Sequence, residues 1–198
     1  WLLWRFIWTV YLVGFALRFR QTSRGLPLRR PKGPYLLLGN HSSTLDPAMA
    51  AWPIWHPVHF MASAALFRIP GLSQLITGLG AFPKQKFVKD RGSVGKLMRL
   101  YKQGEIIVMF PEGTRTWDGR QIPIRPGTGR LVKKLGARVM ICRNLTGWML
   151  HPRWATYARF VPLILEYEGP LEFPEDMSAD EINAELQRLI TIDVDMEV

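Results

Sequence analysis

The chain has 198 residues, enough for one domain with a full hydrophobic core. Its net charge of +10 is segregated: residues 1–165 carry 25 Lys/Arg against 5 Asp/Glu, whereas from Glu166 onward 11 acidic residues face Arg188 alone. A basic body of that size favours polyanionic partners, but no zinc-finger spacing, RNA-binding aromatic block or recognition helix accompanies it, so membrane phosphates explain the charge better than nucleic acid.

Residues 1–17 are apolar apart from Arg5 and Thr9, and Arg18, Arg20, Arg24, Arg29, Arg30 and Lys32 follow them. That length is at the lower limit for crossing a bilayer, which takes about 20 residues. Trp1, Trp4 and Trp8 suit the headgroup belt, and the basic cluster suits anionic lipid. The segment therefore predicts a membrane-associating helix lying on or dipping into the interface, with a full span or a buried core helix as alternatives. A signal peptide does not fit, because the basic residues follow the apolar run. Residues 1–34 are read as anchor and basic linker, residues 35–198 as the main domain.

From residue 35 the pattern alternates strand and helix. Residues 35–39 read as a buried strand. Asp46-Pro47 signals a short helix over 47–52, with Asp46 as N-cap and Pro47 in the first turn. A second strand is expected at 59–63 and an apolar helix at 72–79. Residues 93–102 are amphipathic, with Val94, Leu97, Met98 and Tyr101 at helical spacing on one face. The apolar run 105–110, bounded by Gly104 and Pro111, reads as another buried strand. A helix near 128–135, a strand around Val139 and a long strand over 160–167 follow. Ser178-Ala-Asp-Glu181 has capping-box form and opens a last helix to about Ile190. Alternation at these lengths predicts an α/β domain with a mostly parallel central sheet flanked by helices. The single cysteine, Cys142, gives no disulfide framework and suits core packing in a reducing, cytoplasm-facing location.

Two loops carry the chemistry. His41 and Asp46 lie between the strand at 35–39 and the helix after it. A carboxylate behind an imidazole fixes its tautomer and stabilises the imidazolium. On a continuous helix the two would stand about 140° apart, so they meet only with His41 in the loop and Asp46 at the helix entrance. A plain cap and a plain polar loop residue fit the same spacing. No Gly-x-Ser-x-Gly elbow supplies a nucleophile, so the pair points to a base that activates a hydroxyl of the substrate. The second loop, Pro111-Glu-Gly-Thr-Arg-Thr116, reads as an anion cradle. Gly113 allows close backbone approach, Thr114 and Thr116 donate hydrogen bonds, and Arg115 offers phosphate a planar fork. A solvated turn is the plain alternative. His41, Asp46, His56 and His59 lack the spacing of a metal site, and neither metal nor cofactor is expected.

In this order, the two loops resemble the glycerophospholipid acyltransferases, and the lysophosphatidate (1-acylglycerol-3-phosphate) acyltransferase branch in particular. The family's His-x4-Asp motif matches His41 to Asp46, and its Phe-Pro-Glu-Gly-Thr-Arg block matches Phe110 to Arg115. An intervening glycine-aromatic-basic block is similar to residues 80–91, with Lys86 or Arg91 as its basic residue. The resemblance implies transfer of a fatty acyl group from acyl-CoA or acyl carrier protein to the free hydroxyl of a lysophospholipid, chiefly 1-acylglycerol-3-phosphate, giving phosphatidate. His41 would be the base and Asp46 its orienting carboxylate. Gly113, Thr114 and Arg115 would bind the acceptor phosphate with Lys86 or Arg91, and Glu112 would order their loop. Backbone amides around Ser42 and Ser43 are candidates for the oxyanion site. The basic cluster and the lone Cys142 point to the cytoplasmic face of the inner or plasma membrane, against anionic lipid. Acylation of another lysophospholipid or a lyso-aminolipid, or a non-catalytic anionic-lipid-binding module, are the alternatives. The sequence departs from the family after the Arg115 loop. The strand over 136–142 lacks a proline, and residues 143–154 form an insertion with two tryptophans and two arginines.

Overall fold

The structure, a computed structural model, describes residues 20–26, 31–54, 56–85 and 90–192. The expected N-terminal membrane-associating helix and Lys86 lie outside the described residues. Among those described, no helix is long and apolar enough to cross a membrane.

The centre of the fold is β2 (Tyr35–Gly39), buried at every position. It pairs in parallel with β5 (Ile106–Met109) on one side and β6 (Val139–Asn144) on the other. Strands covered on both faces need apolar residues at every position, which is why these segments read as unbroken hydrophobic runs. Beyond β5 lie β3 (Val58–Ser63) and the edge strand β4 (Ala81–Lys84), both parallel to it. Beyond β6, β7 (Ile164–Leu171) runs antiparallel, and β1 (Thr22–Arg24) pairs in parallel with β7. The order is β1-β7-β6-β2-β5-β3-β4, a seven-stranded and mostly parallel sheet.

Helices cover both faces. On one, α1 (Asp46–Ala51) places Met49 and Ala50 against Leu37, Val108 and Cys142. A short α2 (Leu72–Gly78) follows β3, and α5 (Gly147–Leu150) follows β6. On the opposite face, α3 (Arg91–Lys102), α4 (Gly127–Leu135) and α6 (Ala179–Ile190) pack Leu97, Val132 and Leu186 against Leu36, Leu38 and Ile107. Leu36, Leu37 and Leu38 are all 0% exposed, so successive residues of one strand anchor both layers. Each contributes about 1.5–3 kcal/mol by burial.

The structure corrects several expected elements. The last strand begins at Ile164, four residues later than the apolar pattern suggests. Glu166 and Glu168 belong inside it, because Arg143 on β6 meets them at 3.5 and 2.9 Å. The stretch read as a basic linker contributes β1 to the sheet. The edge strand β4 escaped notice because it contains Pro83, which a central strand could not accommodate. On α3 the buried stripe is Ser93, Leu97 and Tyr101, while Val94 faces outward.

The contact between α4 and α6 is close. Gly129 donates its backbone N–H to Asn183 Oδ1 at 3.0 Å, and a methyl group there would run into the Ala179 carbonyl. Gly129→Ala should therefore lose about 1–3 kcal/mol in urea denaturation. Gly127→Ala, which meets nothing within 4 Å, should not.

Candidate active site

The chain runs from β2 out to β3 on one side of the sheet and later returns to β6 on the other, so the crossover direction reverses at β2. Such switch points leave a crevice at the carboxyl ends of the strands. Asn40 and His41 leave β2 there, Phe110 leaves β5, and Asn144 ends β6. Residues far apart in sequence meet because these three strands are neighbours in register.

Asp46 is the hub. Its carboxylate, 2% exposed, accepts four hydrogen bonds. His41 Nδ1 lies 2.8 Å from Oδ2, the Ser42 and Ser43 N–H groups each reach Oδ2 at 2.7 Å, and Asn144 Nδ2 donates to Oδ1 at 2.9 Å. Asn144 is itself fixed: its N–H donates to Asn40 Oδ1 at 2.7 Å, and Asn40 Nδ2 donates to the Asn144 carbonyl at 3.0 Å. Asp46 is not the N-cap, as the spacing suggested. Leu45 holds that position without a side-chain bond, and Asp46 is the first helical residue, its carboxylate bent back over the preceding loop. The Ser42 and Ser43 amides, expected to be open to an oxyanion, are occupied by that carboxylate.

The His41 ring is held on several sides. Nδ1 faces Asp46, and the ring stacks on Phe110 with centroids 4.5 Å apart. Its backbone N–H donates to Glu112 Oε1 at 3.2 Å, and its carbonyl accepts the Thr116 N–H at 2.9 Å. With Nδ1–H donating to a carboxylate, Nε2 is the basic nitrogen left for a substrate.

The second loop is tied to the first by these backbone bonds. Glu112 is 3% exposed. Burial pushes its carboxyl from the ordinary 4.5 up to about 8; the His41 N–H opposes the rise and Asp46 adds to it. Gly113 has φ of 74°, and a side chain there would strike Arg125. Thr116 does not offer its hydroxyl to an anion as expected, because that group donates to the Arg120 carbonyl at 2.6 Å. Arg115 does reach forward and donates to Thr44 Oγ1 at 2.6 Å. Arg153, from the insertion, approaches Thr114 Oγ1 at 3.5 Å. Burial and then Arg153 lower the Arg115 pKa, and Asp46 partly restores it. Among the described residues neither guanidinium has a carboxylate ion pair, which leaves two adjacent cations open to an anion.

His41, Asp46, Glu112, Gly113, Thr114 and Arg115 are thus brought together. Arg91 is not. It starts α3 beyond β4, three strands or about 14 Å across the sheet from β2, and lines a separate groove with Val94, Met98 and Lys134. Sequence reasoning missed Asn40 and Asn144, whose pairing spans 104 residues, and the role of the Phe110 ring. The paired arginines of the insertion were the one signal for Arg153. Beside His41 a cleft of about 220 Å³ is lined by Asn40, Glu112, Thr116, Arg120 and Gln121 among others.

A His–Asp pair lining a cleft, next to paired arginines and with no nucleophile elbow in the chain, has the makings of a site that activates a substrate's own hydroxyl. The chain belongs to the Acyltransferase family, whose sequence model matches residues 20–143. It is similar to the 1-acyl-sn-glycerol-3-phosphate acyltransferase of Borreliella burgdorferi, with 24% identity over 55% of this chain and 44% of that protein. A chloroplastic protein of the same name from Brassica napus is 30% identical over 54% of this chain and 31% of its own length. The chain thus spans less than half of either relative. The crystal structure of the 1-acyl-sn-glycerophosphate acyltransferase PlsC from Thermotoga maritima shares the fold, with a TM-score of 0.75 and 20% identity over 96% of this chain and 90% of that one.

Glu112 yields a pH test. A carboxyl whose folded pKa is raised binds its proton more tightly in the folded state, so it weakens the fold as pH rises from 4.5 to about 8. The slope is at most about 1.4 kcal/mol per pH unit. Glu112→Gln removes it, so the variant should gain stability on the wild type between pH 5 and pH 8 in urea melts. Parallel stability curves would contradict the assignment.

Proposed function

We propose that this protein moves a fatty acyl group from an acyl thioester, carried by acyl-CoA or acyl carrier protein, to the free hydroxyl of 1-acylglycerol-3-phosphate, giving phosphatidate. The observation that carries this reading is the His41 ring, clamped by Asp46 at 2.8 Å through Nδ1, one loop away from Arg115 and Arg153. The relatives named for that acceptor support the choice of substrate.

His41 Nε2 takes the proton of the acceptor hydroxyl as its oxygen attacks the thioester carbonyl carbon. The imidazolium formed is balanced by Asp46. When the tetrahedral intermediate collapses, the C–S bond breaks and the departing sulfur takes the proton back from His41. The products are an ester and a free thiol. A thioester is already activated, so no covalent intermediate on the enzyme is needed; base catalysis contributes about 10²–10⁴-fold. Arg115, Thr114 and Gly113 hold the acceptor phosphate together with Arg153. Glu112 ties this loop to His41. Lys86 is a further basic contact for the acceptor phosphate. Residues 1–34, whose Thr22–Arg24 strand joins the sheet of the catalytic domain, anchor the protein to the cytoplasmic face of an anionic membrane.

His41→Ala should abolish transfer, measured as thiol release that requires added lysolipid, while the protein still melts cooperatively. Loss of cooperative melting would make His41 a structural residue. Arg115→Lys keeps the charge but loses the planar fork. It should weaken acceptor use by about 1.5–3 kcal/mol and change donor dependence little. Steady-state kinetics varying each substrate in turn separates the two, and a defect confined to the donor would move Arg115 to the donor side.

A further inference from the structure

Beside the Arg115 loop, four aromatic side chains stand out of the surface: Trp117, Trp154, Tyr157 and Phe160, between 49% and 73% exposed. The other large apolar side chains exposed among the described residues, Ile69, Leu75 and Val94, are aliphatic and sit on other elements. Three of the four aromatics belong to the loop between α5 and β7. Trp117 joins them through Arg153, whose guanidinium lies 5.3 Å from the Trp117 ring centre. Arg159 lies 5.1 Å from the Trp154 ring centre in the same way. Ring and cation therefore alternate across one continuous patch that begins at the candidate phosphate site.

The patch is predominantly basic, with Asp118 beside Trp117 as its acidic neighbour. No acidic residue occurs between Asp118 and Glu166. Asp118 itself is engaged by the Thr116 hydroxyl and the Arg120 N–H, with the Arg120 side chain at 3.8 Å. Tryptophan and tyrosine, with an apolar body and a polar tip, suit the depth of lipid headgroups. Arginine suits their phosphates. A single-stranded nucleic acid would need open ring faces for stacking, and here guanidiniums cover a face of both tryptophans. The chemistry that matches is an anionic bilayer.

We propose that this patch is a membrane-contact surface of the folded domain, setting Trp154, Tyr157 and Phe160 into the headgroup layer independently of residues 1–34. Given the reaction proposed above, on which this consequence alone rests, the contact holds the Arg115 mouth at the plane of the lipid phosphates. A lysolipid then presents its phosphate and hydroxyl to the site while its acyl chain stays in the bilayer.

The test uses the full chain and needs no activity. Cys142 is buried, so Tyr157→Cys can be labelled selectively with a polarity-sensitive fluorophore. Gln103→Cys, at the far end of α3, serves as the control position. On phosphatidylglycerol-containing vesicles the label at 157 should shift to shorter wavelength and brighten, less so on pure phosphatidylcholine or at high salt, while the label at 103 stays unchanged. Trp154→Ser with Phe160→Ser should remove most of the shift at 157. A protein that sediments with the vesicles while the label at 157 still reports water overturns the proposal. So does a shift that appears without vesicles as protein concentration rises, which would make the patch a contact between copies of this chain.

Discussion

Burying the Asp46 carboxylate is the constraint around which this protein is organised. A charged group taken out of water must be surrounded by donors or the fold loses several kcal/mol. Here the donors come from three directions: the His41 ring and two loop amides after β2, and the Asn144 side chain at the end of β6. Meeting that demand closes the β2–α1 loop into one shape and pins it to a neighbouring strand. Gly147 completes the enclosure, since a side chain there would run into Asn144 and Ser42. The orientation of His41 is thus a by-product of satisfying the carboxylate, and the ring is held between Asp46 and Phe110. In the transfer proposed above, such preorganisation would let His41 act as base without reorganisation during the reaction.

The charge segregation seen in the sequence acquires a spatial meaning. Part of the acidic C-terminal stretch folds back as β7, where Glu166 and Glu168 neutralise Arg143 on the adjoining strand. Other carboxylates are spent on α6, in the Ser178–Glu181 capping box and the Glu185–Arg188 pair. These four carboxylates are therefore occupied at the β7 and α6 side of the sheet. In the loops at the carboxyl ends of β2, β5 and β6, Arg120 pairs with Asp118, while Arg115 and Arg153 keep no carboxylate ion pair among the described residues. Local pairing, rather than net charge, decides which cations remain available to an anionic partner.

The α/β class and most elements were legible because buried parallel strands leave unbroken apolar runs and amphipathic helices leave a periodic stripe. The His41–Asp46 and Glu112–Arg115 loops were legible because both residue types and spacing were present within a few positions. What the sequence hid depends on strand order. Asn40 and Asn144 become partners only because β6 lies beside β2, and nothing in either local segment announces this. Strand β7 was misplaced for the related reason that its glutamates look like the end of a strand until Arg143 stands opposite. The Ser42 and Ser43 amides were misassigned because a donor's availability depends on where a neighbouring carboxylate points, which spacing does not encode. Arg91 was placed too near the site because sequence proximity to β4 says nothing of how far β4 lies from β2.

The burial of Cys142 has a consequence for redox chemistry. Desolvation pushes its thiol up to about 12, against a smaller opposing effect from Tyr167, and the residue is only 2% exposed on the core side of β6. Thiol–disulfide exchange proceeds through the thiolate and needs access, so this sulfur is both protonated and out of reach. A disulfide arriving from solution would therefore find no accessible thiolate at Cys142 with which to exchange.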